Sequence, residues 1–176
     1  MTTGLTVSQG LREGSLTGVR NFFDAGASNA KLRIYSDAHA RPANGAAITT
    51  EAMLAEIVLD KPCGTVSAGE LSLVSSSTTL CAADGTALWA RFVDGGGGHG
   101  MDADCGPASA ADWALTTAYN AGDFVKRPDG FVYRALNNVA ANAGFLSSDW
   151  ARMQVLLDTL ALLAGGKVVL VQAKLR

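Results

Sequence analysis

The chain has 176 residues, with 14 Lys and Arg against 16 Asp and Glu, a net charge of -2, 2 His and 3 Cys. That length bounds it to one domain, or one with a small insertion, and the slightly acidic balance argues against nucleic acid or an anionic membrane as partner. Charged residues are 17% of the chain and Gly fills 20 positions, a loop-rich and weakly charged profile.

No apolar run of about 18 residues is present to span a bilayer. The N-terminus, MTTGLTVSQGLREGS, lacks a basic stretch followed by an apolar one, so the expectation is a chain made in the cytoplasm without a signal peptide. Residues 1–14 carry few large apolar side chains and read as a flexible arm. A short helix is expected from Ser15, which serves as its cap; Leu16, Val19 and Phe23 follow at spacings of three and four, and Gly26 stops it.

Short alternating runs come next. Lys31 to Tyr35, Met53 to Leu59, Glu70 to Val74 and Thr86 to Val93 read as strands. Arg41-Pro42, Asn44-Gly45, Pro62 to Gly64 and Asp84-Gly85 mark the turns between them. Lys167 to Leu175, after Gly165-Gly166, is strongly β-prone and is expected as a central last strand. The pattern predicts an all-β, jelly-roll-like antiparallel sandwich with one short N-terminal helix. Cys63, Cys81 and Cys105 are odd in number and far apart, which fits small buried thiols better than a disulfide framework.

Residues 111–150 break the rhythm. They hold seven of the twelve aromatic residues of the chain, a concentration that predicts a small module with its own core, inserted into a body formed by residues 1–110 and 151–176. The segment from Trp113 reads W-A-L-T-T-A-Y-N-A-G-D-F-V-K-R-P-D-G-F-V-Y-R-A, then a loop, then S-S-D-W. It resembles the small chitin- and cellulose-binding modules of bacterial chitinases: a Trp, then T-x-Y-x-x-G-D-x-V, a hairpin turn, Y-x-A, a loop and a closing Trp. The resemblance implies a three-stranded β module with Trp113, Tyr119, Tyr133 and Trp150 in its core. It also implies glycan binding by exposed rings in the loop after Y-x-A, where an apolar ring stacks on a pyranose face. In that loop Phe145 is the available platform, with Asn137 and Asn138 as polar neighbours.

In the body, A-K-L-R-I-Y-S-D-A-H-A-R-P, G-T-A-L-W-A-R-F-V-D-G and A-G-G-K-V-V-L-V-Q-A-K-L resemble small structural proteins encoded among the head genes of tailed bacteriophages. That resemblance implies a homo-oligomeric decoration or cement protein on the capsid surface of the virion, assembled in the host cytoplasm, that stabilises the shell by bridging major capsid protein subunits. The alternative it leaves open is a tail-fibre or baseplate adhesion protein whose main task is binding host glycan.

Chemistry is sparse. Gly95-Gly96-Gly97-Gly98-His99-Gly100-Met101-Asp102-Ala103-Asp104-Cys105 gathers an imidazole, two carboxylates and a thiol. An extended strand would place Asp102 and Asp104 on one face, yet a four-glycine run orients ligands poorly and reads as a hairpin tip. His39 falls in a turn, and there is no phosphate loop, nucleophile elbow or carboxylate pair spaced for glycoside hydrolysis. The expectation is a protein that is not an enzyme and needs no metal or cofactor.

Overall fold

The computed structural model describes residues 7–36 and 41–176; His39 therefore lies outside the described residues. Helix α1 (Gln9–Phe23) is followed by β1 (Lys31–Ser36), β2 (Met53–Val58), β3 (Gly64–Ser67), β4 (Glu70–Leu73), β5 (Thr79–Leu80), β6 (Gly85–Val93) and β7 (His99–Pro107). Then come β8 (Ala111–Asp112), β9 (Phe124–Lys126), β10 (Val132–Ala135) and β11 (Trp150–Arg152), and finally β12 (Val155–Leu157), β13 (Ala161–Leu162), β14 (Lys167–Val168) and β15 (Leu170–Leu175). No helix among the described residues is long and apolar enough to cross a membrane.

The fold is all-β and sandwich-like, with one helix. Its main sheet is a curled nine-stranded one in the order β2-β1-β6-β7-β12-β15-β4-β3, with β13 paired to β6. Every pairing in it is antiparallel except β7 with β12, where Cys105, Gly106 and Pro107 oppose Val155, Leu156 and Leu157 in parallel. Parallel neighbours require a long crossover. Here the crossover is the inserted module, a separate sheet of order β11-β10-β9-β8. It has four strands rather than three, because Ala111 and Asp112 add in parallel to Val125 and Lys126, and its last strand reaches Arg152.

The body core joins Leu32, Ile34, Leu54, Ile57, Leu71, Phe92, Val155 and Leu157 with Leu16 and Phe23 of the helix. Cys63, Cys81 and Cys105 are free and buried. Burial pushes the Cys63 thiol up to about 12 and raises those of Cys81 and Cys105, so they act as small apolar packing groups.

The helix starts at Gln9, not Ser15. Ser8 is the cap, its side chain accepting the Leu11 N–H at 3.3 Å, while the Ser15 hydroxyl donates back to the Leu11 carbonyl at 3.0 Å. Residues 9–14 thus belong to the helix rather than to an arm, and residues 1–6 lie outside the described ones. Gly10 and Gly14 made this stretch look unstructured, since each glycine costs about 1 kcal/mol in a helix. Tertiary contact outweighs that: the Gly69 N–H donates to Glu13 Oε1 at 3.1 Å, and Leu16 is buried. A methyl at Gly14 would meet nothing within 4 Å. Gly14→Ala should therefore raise stability by about 0.5–1 kcal/mol in thermal or urea unfolding, and the absence of a gain would mean that the helix begins after residue 14 in solution.

The expected last strand is central but split. Lys167 and Val168 pair with β5, and the chain re-enters the main sheet at Leu170 between β12 and β4. Val169 is the joint, its N–H donating to Asp158 Oδ1 at 2.9 Å. The four-glycine tip joins β6 to β7 as expected, but it is organised: Asp94 Oδ1 accepts the Gly96 and Gly98 N–H groups at 2.8 and 2.7 Å.

Candidate binding site

Alternation along the module strands sorts its side chains onto two faces. Phe124, Val132 and Ala151 lie with Met153 and Leu156, the apolar layer that seats the module on the body. Val125, Ala135 and Trp150 lie on the opposite face, with Trp113, Tyr119, Tyr133 and Phe145 packed around them. The aromatic face is thereby turned away from the body.

Local chemistry shapes this face. Tyr119 bridges to Val139, and its hydroxyl accepts the Ala114 N–H at 2.7 Å. At the turn before β9, Gly122 takes φ +97 and Asp123 Oδ2 accepts the Asn120 N–H at 2.7 Å. The β9–β10 hairpin turns at Pro128-Asp129-Gly130, with Gly130 at φ +81. Asp129 accepts the Phe131 N–H and, at 2.7 Å, the Tyr133 hydroxyl. Burial first, and then that bond to a carboxylate, raise the Tyr133 pKa.

Phe145 is not an open platform. Its ring stacks on Trp150 at 5.1 Å with 14° between planes, and meets Tyr133 and Trp113 edge-on at 5.1 and 6.0 Å. The Arg127 guanidinium lies 3.9 Å from its centroid. Phe145 is thus packed between an indole and a guanidinium rather than left as a bare platform. Of its neighbours, Asn138 is structural, its Oδ1 accepting the Ala121 N–H at 2.9 Å and tying the loop to the turn before β9, whereas Asn137 is exposed. Trp150, Tyr119 and Tyr133 are core members as the resemblance implied.

Trp113 packs against the same cluster as Tyr119 and Tyr133, and one side of it borders a cleft. It is half-buried and lines a cleft of about 500 Å³ with Asp112, Lys126, Arg127, Pro128 and Gly130. Arg127 sits 5.7 Å from the Trp113 centroid, and its Nε is buried with no hydrogen-bond partner among the described residues. The Trp113 N–H donates to the Lys126 carbonyl at 2.8 Å, so the ring is anchored at its backbone. The cleft thus offers an aromatic wall, two cations and one carboxylate, groups that bind and orient. None of its lining residues is a His, Ser, Thr or Cys. The sequence hint was Arg127 at the base of a Pro-Asp-Gly turn, where a long side chain can fold back over the sheet.

The His99, Asp102 and Asp104 cluster is occupied by protein partners. Asp102 takes a bidentate pair from buried Arg91 at 2.7 and 2.9 Å and contacts His99 Nε2 at 3.2 Å, while Asp104 pairs with Arg41 at 3.2 Å. Arg91 also donates to the Ala46 carbonyl at 2.8 Å, pinning the loop before β2 over the sheet. Among the described residues no group of three or more His, Cys, Asp or Glu is placed to hold a metal ion. No family model, no curated protein and no solved structure matches this chain.

Proposed function

We propose that the protein is a non-enzymatic structural component of a tailed-bacteriophage particle: a homo-oligomeric decoration protein whose β body docks on the major capsid protein and whose inserted module is displayed outward to bind glycan. The observation that carries the reading is the two-faced module sheet, one face seated on the body through Val132, Met153 and Leu156 and the other presenting the Trp113 cleft away from it. A half-buried indole beside fixed cations suits a pyranose, whose C–H face stacks on the ring while its hydroxyls find polar partners. One such cleft binds weakly, and many copies on one lattice convert weak contacts into avidity. Exposed Leu80 and Leu163, brought near each other by the pairing of β5 with β14 and the turn at Leu163–Gly166, support self-association of the body.

The test is co-sedimentation with capsids that lack the protein, run beside pull-downs on insoluble chitin and cellulose. Saturable capsid binding is expected from the wild type and from Trp113→Ala alike, with polysaccharide retention lost only in the variant. Retention without capsid binding would favour the tail-fibre or baseplate adhesion reading, which the same cleft supports. Failure of both binding experiments would overturn the proposal.

A further inference from the structure

Strand β7 is paired on one side along most of its length and on the other only at its end. Trp89 to Val93 of β6 oppose Asp104 to His99, whereas β12 covers only Cys105 to Pro107. Asp104 shows which way the free edge points: its carbonyl accepts the Gln154 N–H at 3.3 Å and its N–H donates to Gln154 Oε1 at 3.2 Å, both on the β12 side. In an antiparallel ladder these directions repeat every second residue. The N–H and C=O of Asp102 therefore face the same open side, where no backbone group among the described residues bonds them.

Two cavities lie along this strand, one toward each end of the open edge, and they differ in chemistry. One end is an apolar cavity of about 520 Å³ between helix α1 and the start of β7, with Gly18 as a low point and Val19 and exposed Phe22 as walls. The other is a polar cavity of about 320 Å³ into which Arg41, Arg152 and Arg176 project. Met101 lines both, so the cavities flank one residue of the strand. Two of the arginines already hold carboxylates, Arg41 on Asp104 and Arg176 on Glu70. Arg152 has no carboxylate partner among the described residues. It is held in place by stacking 4.8 Å from the Phe131 centroid, with Arg176 4.4 Å from the same ring.

We infer that this edge is a docking site for an extended segment of a partner protein, which adds as a strand to β7, seats a large apolar side chain against Phe22 and places an Asp or Glu carboxylate on Arg152. The inference goes beyond the proposed function and does not depend on it. Exposed strand edges bind peptides through main-chain bonds, with side-chain pockets supplying selectivity. From Gly100 to Asp104 is about 14 Å at the rise of a strand, so the apolar and acidic residues of the guest stand about four positions apart. Arg152 selects the charge of the guest, because a carboxylate there completes an ion pair that the described residues leave open.

Selection of random nonapeptides displayed against the whole protein tests this. The expected enrichment is for alternating sequences with a large apolar residue and an Asp or Glu four positions apart. Gly18→Trp, at a helical site where an added Cβ meets nothing within 4 Å, fills the apolar end, and Arg152→Glu reverses the charge at the other. Each should weaken the selected peptide by about tenfold or more, N-methylation of alternate peptide amides should abolish binding, and the bound peptide should slow exchange of the Asp102 amide. Absence of any enriched sequence, or enriched peptides that bind both variants as tightly as the wild type, would overturn the inference.

Discussion

Phe145→Ala is expected to unfold the inserted module while leaving the body intact. Its ring is the hub of the aromatic face, in contact with Trp113, Tyr133 and Trp150 and carrying the Arg127 guanidinium. Truncating a packed phenyl ring costs about 3–5 kcal/mol when fully buried. Phe145 is half-buried, so about 3 kcal/mol is the expected loss. A unit as small as this module has little stability in reserve, and its four strands are short. Near-ultraviolet circular dichroism should lose the Trp113 and Trp150 bands at a temperature where the Trp89 environment persists. Preserved thermal stability in Phe145→Ala together with lost polysaccharide retention would show the opposite, that this ring meets the sugar and Trp113 does not.

The second large effect lies in the body. Asp102→Ala strands the guanidinium of Arg91, a residue 5% exposed, with the Ala46 carbonyl still accepting one of its hydrogen bonds. Removing one partner of a buried ion pair costs about 3–5 kcal/mol. Replacing both, as in Arg91→Met with Asp102→Leu, should recover most of that loss, because an apolar pair leaves no charge uncompensated. Urea unfolding of the two single variants and the double variant measures the coupling, and strict additivity would show that the pair is open to water.

The same pair predicts an acid limb. Burial raises the Asp102 pKa, but the Arg91 hydrogen bonds and charge, with His99 behind them, outweigh it and hold the carboxyl below its ordinary value. Glu56, between Lys31 and Arg33, and Glu70, between Lys174 and Arg176, are lowered in the same way against burial. A folded-state pKa below the unfolded one contributes stability that is present above the unfolded value, about 4 for carboxylates, and lost as pH falls through the folded value. The midpoint of thermal unfolding should drop steeply below about pH 4, and less steeply in the Arg91→Met, Asp102→Leu double variant.

Much of the architecture is legible in one dimension because its causes are local. Alternation located β1, β2, β4 and β6 to within a residue or two, and Pro128-Asp129-Gly130 marked a hairpin because its glycine takes positive φ. The clustering of aromatics located the module and four of its core rings. The helix start was misplaced because few large apolar side chains, with Gly10 and Gly14, argue locally against a segment that a contact 56 residues away supports.

The features that bear on binding needed the tertiary structure. Whether Phe145 or Trp113 faces solvent depends on where Arg127 lands, and whether Asp102 and Asp104 are free depends on Arg91 and on an Arg41 that is 63 residues distant from Asp104. The parallel pairing of β7 with β12 follows from how the module folds back on the body. By itself, then, the sequence determined which residues form strands, turns and an aromatic module, because backbone preference and side-chain alternation act over a few residues. Which rings and charges remain available to a partner was decided only by tertiary structure, because a side chain is free or taken according to what distant segments bring against it.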